Sequence, residues 1–242
     1  MDGIILMLIS THTIEKVAYN VLLVAFTFYV LTQVRKPDRW IGRLFTWIMN
    51  MSHSGVTDWG LSHVRIEEQF TILDVGCGGG RTIQKMAAVA SRGMVYGVDY
   101  AKGSVAASRS KNAALISAGR VEIKQGSVSE LPFPDNKFDL VTAVETQYYW
   151  PDLVHDMQEV LRVLKPGGTL IVILESYKKG IRNKLEQPAM KLLGTSNLSV
   201  DEQRELFVKA GFQDVQIFEE LRKGWICGVG KKRLQISFPV DA

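Results

Sequence analysis

Short apolar runs alternate with longer amphipathic ones from Phe70 onward. The runs FTILDV, MVYGVD, VEIKQ, FDLVTAV and GTLIVIL are brief and rich in Val and Ile, which predicts strands. Between them, RTIQKMAAVA, GSVAASRSKNAALISAG and LVHDMQEVLRVLKPGG carry apolar residues at helical spacing and the last two end in Gly or Pro-Gly. Strand and helix alternating in this way predict an α/β fold, a parallel sheet with helices on both faces.

The pattern also divides the chain into three parts. After a connector from Glu175 to Ser199, a helix in VDEQRELFVKAG and two strand-like runs, VQIFEE and GWICGVG, complete an α/β domain over 70–242. Residues 37–69 are predicted to form a helical cap segment. Residues 1–36 are predicted to form a hydrophobic N-terminal helix.

The N-terminal apolar run leaves two interpretations open. Val17–Val34 contains no formal charge and is followed by Arg35, Lys36 and Arg39. As a helix rising about 1.5 Å per residue it would be about 27 Å long, close to the roughly 30 Å hydrocarbon core of a bilayer. As a membrane anchor it would leave the rest of the chain cytoplasmic, because basic residues favour that side. As a lid, its apolar face would instead cover a substrate pocket.

Composition narrows the class of protein. The chain has 242 residues, 46% of them hydrophobic, enough for a globular core. Lys and Arg exceed Asp and Glu by 29 to 25, and this net charge of +4 is too small and scattered to indicate a nucleic-acid partner. The two cysteines, Cys77 and Cys227, form no CxxC pair, which favours a reducing compartment and gives no support for a metal site.

The stretch ILDVGCGGGRT predicts a nucleoside site. Its glycines follow the first strand, and in a parallel sheet ligands bind beyond the carboxyl ends of the strands. Gly76, Gly78 and Gly80 form GxGxG, whereas dinucleotide sites need Gly or Ala where this chain has Arg81. No GK[ST] follows, so a triphosphate loop is also disfavoured. Asp99 ends the second strand at the spacing of a ribose-binding carboxylate, although such an Asp can also be a helix cap.

These residues resemble the class I S-adenosylmethionine-dependent methyltransferases, and among them the ubiquinone and menaquinone biosynthesis group. ILDVGCGGG, VYGVD, LPFPDNKFDLV and EVLRVLKPGG carry the resemblance, over about Ile72 to Gly168. It implies a Rossmann-like, seven-stranded, mostly parallel sheet whose last strand is antiparallel, with S-adenosyl-L-methionine as cofactor. The residues that it assigns to the cofactor are Asp74, Gly76, Cys77, Gly78 and Gly80 for the methionine moiety, Asp99 for the ribose, and Tyr100, Gly126, Ser127 and Val128 for the adenine.

Two departures from the family pattern bear on substrate and affinity. Ser127 stands where many relatives carry an acid for the adenine amino group, and a hydroxyl accepts a hydrogen bond more weakly than a carboxylate. The fourth strand is followed by ETQYYWPD, without the [DN]PP[YF] motif of enzymes that methylate nucleic-acid bases or glutamine. A base-methylating enzyme is therefore disfavoured.

Three residues are candidates for the catalytic end of the pocket. Glu145 and Tyr149 lie in ETQYYW at the carboxyl end of the central strand. Glu145 is a hydrogen-bond acceptor for an amino group or a helix cap, and Tyr149 is a cation-π wall or simple packing. His53, in the segment before the first strand, is a base titrating near neutral pH or a structural histidine.

Together these features predict methyl transfer to a small, lipophilic molecule. The protein is expected in the cytoplasm, attached to the inner membrane face if Val17–Val34 is an anchor, with a small-molecule acceptor and no nucleic acid as partner. Two alternatives remain. One is N-methylation of an amine or phospholipid head group, and the other is a catalytically silent, cofactor-binding partner subunit.

Overall fold

The computed structural model describes residues 54–175, 177 and 197–234. The predictions for Val17–Val34 and His53, and the division at residue 36, fall outside these residues. The described end of the predicted cap segment contains one helix, Ser54–Leu61. Within the described residues, no helix has both the length and the apolarity needed to cross a membrane.

Seven strands and six α-helices make up the described part of the chain. The strands are β1 (Thr71–Val75), β2 (Met94–Asp99), β3 (Val121–Gln125), β4 (Phe138–Val144), β5 (Leu164–Leu174), β6 (Gln213–Glu220) and β7 (Trp225–Lys231). The helices are α1 (Ser54–Leu61), α2 (Arg81–Val89), α3 (Lys102–Lys111), α4 (Ala113–Ser117), α5 (Leu153–Val163) and α6 (Val200–Ala210), and a 3₁₀ turn spans Gln147–Tyr149.

The strands form one sheet in the order β3-β2-β1-β4-β5-β7-β6. β1 to β5 are parallel, and β7 runs antiparallel to both β5 and β6. The seven-stranded, Rossmann-like arrangement with an antiparallel last strand is therefore confirmed. From β1, the strands β2 and β3 follow towards one side of the sheet, whereas β4 and β5 lie on the other side of β1. The carboxyl ends of β1, β2 and β4 therefore meet where the strand order changes direction, and ligands bind at this point in such sheets.

Two elements differ from the sequence prediction by more than a residue or two at an end. The helix predicted over GSVAASRSKNAALISAG is interrupted at Asn112, whose side-chain amide donates to the carbonyl oxygens of Gly80 and Ser108. The strand predicted as GTLIVIL begins earlier, at Leu164, which pairs with Phe138. Pro166 explains this second difference, because the residue before a proline is disfavoured in helical conformation.

Apolar side chains are buried on both faces of the sheet. One cluster joins Leu73 and Val172 to Met157 of α5 and Phe207 of α6. The other joins Ile72 and Ile171 to side chains of the helices on the opposite face, including Val56, Ile83, Met86 and Val105. Neighbouring residues of β1 and β5 thus face opposite cores, which explains why both strands read as unbroken apolar runs.

Candidate cofactor site

A cavity of about 330 Å³ lies at the carboxyl ends of β1, β2 and β4. Its size is in the range of small-molecule pockets. The residues that line it are Val75, Gly76, Val98, Asp99, Tyr100, Gly126, Ser127, Val128, Thr146, Tyr149, Trp150 and Pro151. The structure therefore brings together six of the ten residues predicted for the cofactor and one of the three predicted for catalysis.

The glycine loop folds back over the end of β2. The backbone N–H groups of Gly76 and Cys77 both donate to the carbonyl oxygen of Val98, at 2.8 and 3.0 Å. Gly76 has φ 71°, and a Cβ there would lie 2.1 Å from the Thr146 hydroxyl. Only glycine fits at this position, because it tolerates the positive φ and leaves room for Thr146.

Gly78 and Gly80 have different surroundings. A Cβ on Gly78 would meet no atom within 4 Å, so the space above this backbone is open. A Cβ on Gly80 would lie 2.4 Å from both the Asn112 amide and the Ser108 hydroxyl. Neither glycine lines the cavity. Because it has no side chain, Gly80 allows the loop to pack closely against the C-terminal end of α3.

Asp99 lines the cavity and also secures the loop. Its Oδ2 accepts the N–H of Gly78 and its Oδ1 the N–H of Ala101, each at 2.9 Å. The side chain is 7% exposed, and this burial raises the pKa of the carboxyl group. Each carboxylate oxygen can accept a second hydrogen bond, so the bonds within the loop leave acceptor capacity towards the cavity.

Asp74, in β1, and Cys77, in the glycine loop, are both buried and do not line the cavity. The Asp74 carboxylate is 2% exposed and accepts the Thr142 hydroxyl at 2.6 Å. Burial raises its pKa to about 7, and the nearby Asp99 charge adds to the effect. Burial also raises the pKa of the Cys77 thiol, which lies 3.8 Å from the Ser108 hydroxyl, so Cys77 remains a thiol at neutral pH.

The residues predicted for the adenine occupy one wall of the cavity. Tyr100 is 42% exposed, which leaves its ring accessible for stacking. Gly126 continues from β3 and donates its N–H to the carbonyl oxygen of Asp99. Ser127 is exposed at the rim, where its hydroxyl accepts the N–H of Ser129, and the Val128 side chain is buried in the wall.

The opposite wall comes from the 3₁₀ turn after β4. Tyr149 and Trp150 line the cavity here, together with Pro151. Glu145 does not line it. Its carboxylate accepts the N–H of Glu175, just beyond β5, and its backbone has φ 56°, which is uncommon for a residue other than glycine.

Five lining residues are not among the site residues named from the sequence: Val75, Val98, Thr146, Trp150 and Pro151. Val75 and Val98 each adjoin a predicted residue at the end of a strand. Their position alone was a usable signal, because the last residue of a parallel strand borders the binding edge.

Comparison with known proteins adds independent support to the fold and the family resemblance. The model of a family described as Methyltransferase domain matches residues 73–172. The demethylmenaquinone methyltransferase of Bacillus cereus is 39% identical over 102 residues, which are 42% of this chain and 43% of that protein. The chain thus spans less than half the length of the curated relatives that it matches.

Solved structures share the fold at low sequence identity. A chain in the complex between the Haloferax volcanii Trm112 methyltransferase activator and a putative methyltransferase superposes with a TM-score of 0.70 and 22% identity, over 79% of this chain and 94% of that one. Haemonchus contortus phosphoethanolamine N-methyltransferase 2, solved with S-adenosyl-L-methionine, gives a TM-score of 0.65 and 16% identity, over 74% of this chain and 53% of that one.

Residues 73–172 therefore form a class I S-adenosylmethionine-dependent methyltransferase domain, and the resemblance noted in the sequence is confirmed. S-adenosyl-L-methionine is the cofactor of this class. The cavity suits such a ligand, because a buried carboxylate, an accessible tyrosine ring and a bare glycine backbone occur at one strand edge.

Proposed function

We propose that this protein transfers the methyl group of S-adenosylmethionine to a small, lipophilic acceptor. The observation that carries the proposal is the composition of the cavity. One wall holds Asp99 and Tyr100, which suit a nucleoside, and the other holds Tyr149, Trp150 and Pro151, which suit an apolar molecule.

The roles of the lining residues follow from their positions. Asp99 would accept hydrogen bonds from the ribose hydroxyls, and Tyr100 with Val128 would contact the adenine. When bound, the cofactor supplies an electrophilic methyl group, so the protein mainly has to align the acceptor and exclude water. Tyr149 and Trp150, which line the cavity, would contribute to both.

The chemistry of the acceptor is suggested by two relatives of different kinds. The curated relative acts, by its name, on demethylmenaquinone, a lipophilic ring compound. The structural neighbour from Haemonchus contortus acts on phosphoethanolamine, a polar amine. We favour the lipophilic class, because the wall at the end of β4 is largely aromatic. Val17–Val34, as anchor or lid, would serve such an acceptor in either case.

Turnover of methyl-labelled cofactor tests the proposal. The purified full chain is assayed with a demethylated quinone dispersed in detergent, with phosphoethanolamine, and without acceptor. We expect label in the quinone and little in the amine. Label in phosphoethanolamine alone would establish the amine alternative, and binding of the cofactor without transfer to either acceptor or to a metabolite extract would establish the silent subunit.

A further inference from the structure

A second cavity, of about 460 Å³, lies at the edge of the sheet opposite the cofactor site. It is found where β1, β4 and β5 begin and where β7 ends, because Phe70, Asp139, Lys165 and Lys231 line it. Its volume is in the range of small-molecule pockets. Among the described residues, none lines both cavities, so a ligand in the second cavity would not compete with the cofactor.

Cationic side chains outnumber acidic ones in the second cavity. Arg65, Lys165 and Lys231 line it, against Asp139 as the one acid among the described lining residues. The two carboxylate oxygens of Asp139 each lie 2.8 Å from Lys165 Nζ, and one of them also accepts the N–H of Thr71. Asp139 thus neutralises Lys165, and Arg65 and Lys231 remain as an excess of two positive charges.

The acids next to Arg65 and Lys231 hold these two cations only loosely. Arg65 Nε lies 3.8 Å from Glu67 Oε1, and Lys231 Nζ lies 4.0 Å from Asp214 Oδ2. The Arg65 side chain is 88% exposed and that of Lys231 is 53% exposed, and exposed ion pairs of this kind contribute little to stability. His63, which also lines the cavity, adds no charge at neutral pH because burial lowers its pKa. Both cations are therefore available to an anionic ligand.

Apolar side chains also line the second cavity. They belong to Val64, Phe70, Leu140, Pro166 and Val229. Leu140 and Val229 are part of the buried core, with 1% and 7% exposure. A ligand that fills this cavity would therefore place an apolar body against side chains of the core and an anionic group against cations.

We propose that the second cavity binds a phosphate monoester with an apolar body, and that Arg65 and Lys231 hold the phosphate. A phosphate monoester carries about two negative charges at neutral pH, which match the two excess cations. A guanidinium group also binds phosphate oxygens in a bidentate manner. The site is additional to the proposed methyl transfer and does not depend on it. Soluble esters and lipid head groups both offer this chemistry.

Calorimetry of the full chain with phenyl phosphate tests this site. The phenyl ring supplies the apolar body, whereas inorganic phosphate lacks the ring and benzyl alcohol lacks the charge. At low salt, where screening is weak, we expect phenyl phosphate to bind at least about tenfold more tightly than either of the other two. Its affinity should not change when the demethylated product of S-adenosylmethionine is present at saturation, because the two cavities share no described residue.

Three variants assign the binding to the second cavity. Arg65→Gln and Lys231→Gln should each weaken the binding of phenyl phosphate about tenfold, because each removes one charged contact. Asp139→Asn should strengthen it several-fold, because the change removes a negative charge and releases Lys165, a gain that damage to the fold would not produce. Lys209→Gln, an exposed position on α6 that does not line the cavity, is the control. Thermal unfolding checks that all four variants are folded.

Vesicles separate the two sources of the ester. Sedimentation of the full chain with phosphatidylcholine vesicles is measured with and without phosphatidic acid. Extra binding to phosphatidic acid that Arg65→Gln removes would assign the site to a lipid head group, and binding of phenyl phosphate without this effect would assign it to a soluble ester.

Several results would overturn the site. They are no binding of phenyl phosphate or of phosphatidic acid, equal affinity for benzyl alcohol and phenyl phosphate, displacement of phenyl phosphate by the demethylated cofactor product, and unchanged affinity in both Arg65→Gln and Lys231→Gln. None of these results bears on methyl transfer, so the proposed function is tested separately.

Discussion

At the scale of single residues, the glycines between Val75 and Arg81 meet different demands. Gly76 makes room for Thr146, Gly80 makes room for Ser108 and Asn112, and Gly78 alone has open space where a side chain would begin. Its N–H is held by Asp99, which also lines the cavity. Contacts within the protein thus account for the glycines at two of the three positions, Gly76 and Gly80.

Replacing Asp99 tests its predicted contact with the ribose. Asp99→Ala should weaken binding of S-adenosylmethionine by about 1.5 to 3 kcal/mol, the usual contribution of hydrogen bonds to a charged group. Calorimetry measures this, with NAD as a ligand that we expect not to bind and Glu205→Gln, at an exposed position of α6, as the control variant. Unchanged affinity would leave Asp99 with a structural role through its hydrogen bonds to Gly78 and Ala101.

Glu145 and Tyr149 were predicted together but occupy different surroundings. Tyr149→Ala should lower turnover with little change in melting temperature, because the ring lines the cavity and is only partly buried. Glu145→Gln should lower turnover less, because its carboxylate accepts the N–H of Glu175 and the residue does not line the cavity. Kinetics and thermal unfolding of both variants check this, and a larger kinetic effect at Glu145 would reverse our ranking.

The raised pKa of Asp74 makes folding stability depend on pH. Because the folded pKa of about 7 exceeds the ordinary value of 3.8, the folded state binds more protons between these values, and stability falls as the pH rises through that window. Asp74→Asn has no ionisable group at this position, so its stability does not fall for this reason. Its free energy of unfolding, relative to that of the wild type, should therefore rise from pH 4 to pH 7 and stay constant above. Urea unfolding of the ligand-free proteins at several pH values measures it, and a difference that does not vary with pH would contradict it.

At the scale of elements, a buried polar contact holds the 3₁₀ turn of the cavity wall to α6. The Gln203 side-chain amide donates to Gln147 Oε1 at 3.0 Å, and the two residues are 1% and 3% exposed. Helix α6 is itself fixed at its start by a capping box between Ser199 and Glu202. The turn that carries Tyr149 is therefore held to an element from the other end of the domain.

Removing the Gln203 amide should loosen this turn. Gln203→Ala leaves the buried oxygen of Gln147 without its donor, which should reduce the free energy of unfolding by about 1 to 3 kcal/mol and raise the KM for the acceptor. The matched control is Glu205→Gln on the exposed side of the same helix. Urea unfolding and steady-state kinetics check the prediction, and equal stability of the two variants would refute it.

At the scale of the whole molecule, the described lining of the cofactor cavity comes from a small part of the chain. Among the residues that the structure describes, those that line it fall between Val75 and Pro151. Apolar clusters bury both faces of the sheet whose edge carries the cavity. The N-terminal segment, which lies outside the described residues, is tested by its removal.

Deleting residues 1–36 distinguishes an anchor from a lid. If Val17–Val34 is an anchor, as we expect, the truncated protein should stay folded, bind the cofactor and leave the membrane fraction. If it is a lid, the deletion should expose apolar surface and cause aggregation or loss of acceptor binding. Fractionation of both forms followed by cofactor binding measures this, and full-length protein found entirely in the soluble fraction without detergent would end the anchor hypothesis.

The sequence by itself determined the class of fold and the region of the site. The strands β2, β3 and β4 have the bounds that their apolar runs predict. This is because the side chains buried in each strand are its own apolar residues, which the sequence shows directly. Asp99 could be predicted for the same reason, since a strand end is a local feature, whereas Tyr100 and Gly126 came from the resemblance to a family. The antiparallel last strand came from the resemblance to a family.

Only the tertiary structure decided what each residue of that region contacts. Asp74 and Gly80 face Thr142 and the Ser108–Asn112 end of α3, partners distant in sequence, and Glu145 turns to Glu175 rather than to the cavity. Asn112 interrupts a helix that local spacing predicted as continuous, because its side chain bonds to Gly80 across the fold. Such contacts depend on which strands become neighbours in the sheet, and hydrophobic periodicity carries no information about that.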